Sequence, residues 1–193
     1  MDQPEYKIDY TVENLTVELS TEEYIQRFGN SVHAVEGCMR CKNYGKVWAC
    51  PPFSHDTIAE IRQYSRVLLM ATKITLIGSD IPTSEINRIY HPERLKVERT
   101  LREMEERYDG RAFAFSGSCL YCSDTTCTRT NNKPCRHPEL VRSSLESYGF
   151  DVGRTVTELF GFPLLWSKGG FLPSYMTIVS SFFYNSDNPV KFP

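Results

Sequence analysis

The stretch Arg66-Val67-Leu68-Leu69-Met70-Ala71-Thr72-Lys73-Ile74-Thr75-Leu76 reads as a β-strand at the centre of a sheet. Its apolar run is nearly continuous, whereas a strand with one wet face would alternate. Upstream, residues 13–19 do alternate, which predicts a strand with one buried face. Ser20 or Thr21 then caps a helix through Phe28, with Glu22 and Glu23 favourably placed in its first turn. A short helix over Thr57–Tyr64, capped by Ser54 or Asp56, leads into the central strand. Downstream, residues 84–108 predict a long, charged helical stretch that His91-Pro92 breaks or kinks into two. Arg111–Phe115 reads as a strand and Pro138–Tyr148 as a helix, with proline at its start and Gly149 past its end. Asp151 caps a helix over Val152–Phe160, and Met176–Tyr184 forms the last strand. Strands separated by helices predict an α/β fold, a small mixed sheet flanked by helices, in a single domain over 1–193.

Two segments fit neither period, and both carry cysteines. One spans 33–53 and the other 117–137. The first holds Cys38, Cys41 and Cys50 as C-x2-C-x8-C-P-P; the second holds Cys119, Cys122, Cys127 and Cys135 as C-x2-C-x4-C-x7-C. All seven cysteines of the chain fall in these polar, Gly/Pro-punctuated segments. Cysteines that merely filled a core would be scattered among the apolar runs. An odd count leaves one thiol over in any closed disulfide framework, so metal ligation is the better account.

The bulk numbers favour a cytoplasmic location, where thiols stay reduced. The N-terminus lacks the basic and apolar stretch of a signal peptide. The longest apolar run, Val67 to Ala71, is far too short to cross a bilayer. A net charge of −2 gives no global attraction to nucleic acid or to an acidic membrane, so neither is expected as a partner. Among familiar catalytic patterns, a phosphate-cradling glycine loop, a G-x-S-x-G elbow and an H-E-x-x-H pair are all missing. Gly169-Gly170 reads as a turn.

Four thiolates within seventeen residues suffice for a complete site on Cys119, Cys122, Cys127 and Cys135. Zinc favours two paired knuckles. Here only the first pair is a knuckle, because Cys127 and Cys135 stand too far apart to form a second. A [4Fe–4S] cluster is a wider object that tolerates longer gaps, and the spacing weighs toward it, with zinc as the alternative. Ser116, Gly117, Ser118 and Ser123 keep the local backbone small, which would let N–H groups approach sulfur.

Cys38, Cys41 and Cys50 form an incomplete set. A fourth ligand would come from His33, His55 or a carboxylate, or one iron would stay open to an external ligand, as an enzyme requires. A third arrangement pairs Cys38/Cys41 with Cys119/Cys122 as two zinc knuckles. His137 is a candidate donor to a ligand or an alternative ligand, or else a helix cap or surface residue; Arg136 is a neutralising charge or a plain surface residue. Tyr44, Trp48 and Phe53 would shield a centre or simply pack a core. His91 and the following Glu/Arg-rich helix read as a solvated face with i,i+4 pairs such as Glu98–Arg102. The apolar segment from Phe160 through Phe162, Leu164, Leu165, Trp166 and Phe171 would cover a cofactor or pack a homo-oligomer, with core packing as the default.

Cys38-Met-Arg-Cys41-Lys-Asn-Tyr44-Gly45-Lys-Val-Trp48-Ala-Cys50-Pro51-Pro52-Phe53 resembles the first signature of a family of predicted cysteine-rich metal-binding proteins common in anaerobic bacteria and archaea. Cys135-Arg136-His137-Pro138-Glu139, followed by Arg142-Ser-Ser-Leu-Glu146-Ser-Tyr148-Gly149-Phe-Asp151-Val152, resembles its second. The resemblance covers about residues 10 to 185 and implies a cysteine-ligated, iron–sulfur centre with a cytosolic role in anaerobic metabolism. It implies no particular reaction. The expectation is electron transfer or reductive activation of a redox partner protein. The rivals are a zinc-stapled interaction module and an enzyme using the three-cysteine group.

Overall fold

The computed structural model describes residues 8–117, 119–122, 126–186 and 190–192. Four strands form one sheet: β1 (Tyr10–Ser20), β2 (Arg66–Leu76), β3 (Gly110–Phe113) and β4 (Tyr175–Tyr184), in the order β1-β2-β4-β3. The helices are α1 (Thr21–Phe28), α2 (Val32–Arg40), α3 (Thr57–Ile61), α4 (Ile86–Arg107) and α5 (Val152–Phe160). The α/β class and the helix-flanked sheet are as the sequence predicts. Every pairing is antiparallel, however, where a mixed sheet was expected. The reason lies in the connections. Ser20, the end of β1, pairs with Arg66, the start of β2, so α1 to α3 make an excursion off one end of the sheet rather than a crossover along it.

β2 is interior, and its alternation divides the core in two. Leu68, Met70, Ile74 and Leu76 join Met176, Ile178 and Phe182 of β4 on one face, against Ile89, Val97, Leu101 and Met104 of α4. Val67 and Leu69 join Val179 and Phe183 on the other, against Tyr24, Ile25 and Phe28 of α1 and Val152 and Val156 of α5. The caps follow sequence: Ser20 Oγ accepts from the Glu23 N–H, Asp56 from Ile58 and Ala59, and Asp151 from Arg154. Gly110 starts β3 where a Cβ would sit 2.3 Å from the Phe182 ring and 2.6 Å from the Phe183 carbonyl oxygen.

Three expected elements differ. The first cysteine segment is not all loop. Ser31 caps α2, whose last turn carries Cys38. None of its residues is buried, and the apolar Val32, Val35 and Met39, spaced as on one helix face, are exposed. His91-Pro92 does not divide α4, which runs unbroken through Pro92. A proline inside a helix costs about 3 kcal/mol. The four buried apolar side chains of α4 contribute about 1.5–3 kcal/mol each and outweigh it. Pro138–Tyr148 is irregular, with a single 3-10 turn at Glu146–Tyr148. There the Arg142 guanidinium, ion-paired with Glu105, takes the carbonyls of Glu139 and Val141 that a helix would need.

Among the described residues, no helix is long and apolar enough to cross a membrane. Phe160, Phe162 and Leu164 pack against the second core cluster, while Leu165, Trp166 and Phe171 are exposed. Gly169 and Gly170, both at positive φ, form a tight turn across which Lys168 and Phe171 exchange two backbone hydrogen bonds.

Candidate metal centre

All seven cysteines are free thiols; Cys41 is exposed and the other six are half-buried. The first group is folded by its own backbone. The Cys41 N–H donates to Cys38 O, Tyr44 to Cys41 O and Cys50 to Val47 O, while Gly45, at φ +68°, donates to Pro51 O and closes the loop. That left-handed turn suits glycine alone at no cost. The second group lies on an irregular segment with one short 3-10 turn, Thr128–Asn131, ending at the left-handed Asn132.

Cys119, Cys122, Cys127 and Cys135 all line one cavity of about 390 Å³, with Trp48, Tyr121 and His137 in its wall. Spacing predicted that these four could converge. The structure adds donors aimed at sulfur: the His137 N–H lies 3.4 Å from Cys135 Sγ, the Arg136 Nη1 3.6 Å from Cys122 Sγ, and the Tyr121 backbone N–H bonds Cys119. Such donors favour the thiolate that a metal needs. Burial acts the other way, pushing up the Cys119 thiol. Cys50 is pushed up to about 11, chiefly by burial, then by Cys41, Cys38 and Cys119, with Arg129 opposing. Val47, Trp48 and Ala49 of the first segment line the cavity of the second group, which sets the two segments side by side. Cys38 is raised by burial, Glu146 and Cys41, and its thiol reaches the Glu146 carbonyl at 3.7 Å.

Among the described residues, no three His, Cys, Asp or Glu side chains close to the spacing of one metal ion. The candidate fourth ligands do not join Cys38, Cys41 and Cys50. His33 is exposed on the first turn of α2, five residues and about 140° around the helix from Cys38. His55 is committed to Glu60, 2.7 Å from its Nε2. Of the small residues expected around the second group, Ser116 accepts from the Tyr90 hydroxyl at 2.6 Å, and Ser118 and Ser123 lie outside the described residues. Tyr44 is half-buried, Phe53 stacks with His55, and Trp48 donates its Nε1 to the Lys133 carbonyl at 3.1 Å.

Two features escaped the sequence. Arg129 reaches from the second cysteine segment into the first, donating to the carbonyls of Val47, Cys50 and Pro52, with Trp48 stacked 5.3 Å from its guanidinium carbon. Beneath the second segment, α4 is not a solvated face. Arg94 and Glu98 are 2% and 1% exposed and pair at 2.5 Å, and Glu98 also accepts from the Tyr121 hydroxyl at 2.9 Å. The expected Glu98–Arg102 pair is replaced by a bridge through Tyr121, to which Arg102 donates at 2.6 Å. The cysteine segment covers that side of the helix, and period alone gave no sign of a cover.

Two thiol-bearing segments clamped together over an α/β sheet, four of their sulfurs around one cavity, define a cysteine-rich metal-binding protein. Residues 25–181 match the family model described as "Predicted metal-binding protein (DUF2284)", and the chain belongs to that family. No curated protein and no solved structure matches.

Proposed function

We propose that Cys119, Cys122, Cys127 and Cys135 hold a [4Fe–4S] cluster, and that the chain is an electron carrier that reduces or activates a partner protein. The observation that carries this reading is the shape of the thiol-lined space. Four sulfurs ring about 390 Å³, and among the described residues no three ligands close on one ion. A cubane of iron and sulfide needs such room, whereas tetrahedral zinc draws its ligands to about 2.3 Å. The cluster would supply one-electron chemistry at low potential. The protein's part is to aim N–H groups at Cys119 and Cys135, bring Arg136 to Cys122, and keep the cationic Arg94, which acts on Cys119, buried nearby. Each of these favours negative charge on sulfur.

Protein isolated without oxygen should be brown, with about four iron and four sulfide per cluster and a paramagnetic signal on reduction. Colourless protein with stoichiometric zinc would overturn the reading and leave the zinc-stapled interaction module. A narrower second reading rests on Cys38, Cys41 and Cys50, which neither His33 nor His55 completes. That set would present an open iron to substrate. Cys50→Ala should then abolish turnover and leave the four-cysteine signal intact; loss of both signals together would refute two separate centres.

A further inference from the structure

A second cavity, about 480 Å³, shares Trp48, Cys135 and Val141 with the thiol-lined one. Its size is that of a small-molecule site. Trp48, Phe53 and Tyr148 supply aromatic wall, Arg111 and Arg129 supply the charge, and His55 adds a polar ring edge; no carboxylate is among its lining residues. Glu60 of α3 stands behind that wall and organises it. Glu60 Oε2 lies 2.7 Å from His55 Nε2 and accepts from the Tyr148 hydroxyl at 2.8 Å, while Oε1 lies 3.0 Å from Arg111 Nε. The Arg111 contact falls off the line of a hydrogen bond, so that buried Nε–H has no hydrogen-bond partner. Arg129 meets three carbonyl oxygens and, among the described residues, pairs with no carboxylate. With its Nε2 turned to Glu60, His55 is left with Nδ1 as its second polar atom.

We propose that this cavity binds a small carboxylic acid with a flat apolar body. The carboxylate meets Arg111, and the body lies along the aromatic wall of Trp48, Phe53 and the His55 ring stacked on Phe53. Arginine matches the two oxygens of a carboxylate with its planar fork. A monoanion suits the charge present, since Glu60 already offsets Arg111 and leaves Arg129 uncompensated. A dianion would feel Glu60 close behind Arg111. The proposal does not depend on which metal the thiols hold. It gives Trp48 and Cys135 a second meaning, as a wall shared by a ligand and a metal centre.

The test titrates benzoate into the full-length chain and follows ring resonances of His55, Tyr148 and Trp48. Benzyl alcohol serves as the neutral counterpart and phenyl phosphate as the dianion. Benzoate should saturate one site, bind at least about tenfold more tightly than benzyl alcohol, and lose about tenfold in Arg111→Met, the size of one lost charged contact. Arg111→Lys should recover part of the loss. His55→Ala should weaken binding as well, which keeps the test open should Arg111→Met fail to fold. Four results would each overturn the proposal: no saturation, equal affinity for benzyl alcohol, tighter binding of phenyl phosphate, or benzoate affinity unchanged in both Arg111→Met and His55→Ala. Binding that vanishes with the metal but survives Arg111→Met would place benzoate on the metal centre, and overturns it too.

Discussion

Arg129→Ala should separate the two cysteine segments without touching a cysteine. The side chain donates to Val47 O at 2.8 Å and to the Cys50 and Pro52 carbonyls, and its guanidinium carbon stands 5.3 Å from the Trp48 ring centre. Hydrogen bonds from a charged donor contribute about 1.5–3 kcal/mol each when fully desolvated. Arg129 is half-buried, and its three bonds share one group, so about 1 kcal/mol each is the apt figure. The contact with Trp48 adds about 0.5 kcal/mol. The loss is therefore about 3.5 kcal/mol, a fall in Tm of about 7–14 °C for a chain of this size. Denaturant titration should be run on wild type and variant in the same metal state, because bound metal adds its own stabilisation. Hydrogen exchange should show lost protection at Gly45 and Cys50, far along the chain from the substitution. Arg129→Lys should fall between, keeping charge but not the fork. A loss under about 0.5 kcal/mol, or faster exchange confined to residues 119–135, would refute the clamp.

Glu98→Ala should cost about 3–5 kcal/mol, because it strands the buried Arg94 guanidinium, and the double variant Glu98→Ala/Arg94→Met should recover much of it in thermal melts. Gly110→Ala should destabilise by about 3 kcal/mol, as a Cβ 2.6 Å from the Phe183 carbonyl oxygen must push β3 from β4; an unchanged melting temperature would sink that account. Burial raises the Glu146 carboxyl, with the Ser144 hydroxyl and its own N–H opposing. A raised folded value means stability is fully present below the unfolded carboxylate range, about pH 4.3, and is lost as pH rises through the folded value. Glu146→Gln should accordingly be more stable than wild type at pH 7 and gain nothing near pH 4. A gain that does not vary with pH would point to packing instead.

Strands and capped helices were legible because each has a local cause. The continuous apolar run of residues 66–76 can only be interior, and Ser20, Asp56 and Asp151 announce the helices they cap. What stayed hidden was set by distant partners. α2 carries Val32, Val35 and Met39 at helical spacing but buries none of them, and its place beside the cysteines hid it in a segment read as loop. Residues 138–148 carry helix-start and helix-stop signals, yet Arg142 and its partner Glu105 hold the chain in another path. That Cys119, Cys122, Cys127 and Cys135 line one cavity was readable from spacing, since they lie close in the chain. Arg129 was not, because nothing next to it in sequence shows which carbonyls it will meet. The same holds for Glu60, whose three partners come from separate elements.

The Arg129 bridge to Cys50 spans 79 positions. During synthesis, Cys38, Cys41 and Cys50 therefore emerge long before the arm that will hold their loop. At about 5–20 residues per second the ribosome needs about 4–16 s to deliver it. For that interval three thiols hang from an unfinished chain, with β4, which closes the sheet between β2 and β3, later still. The four thiols proposed to hold the cluster come later too, and their set is complete only once Cys135 has been added. Until then the early thiols depend on the reducing power of their surroundings.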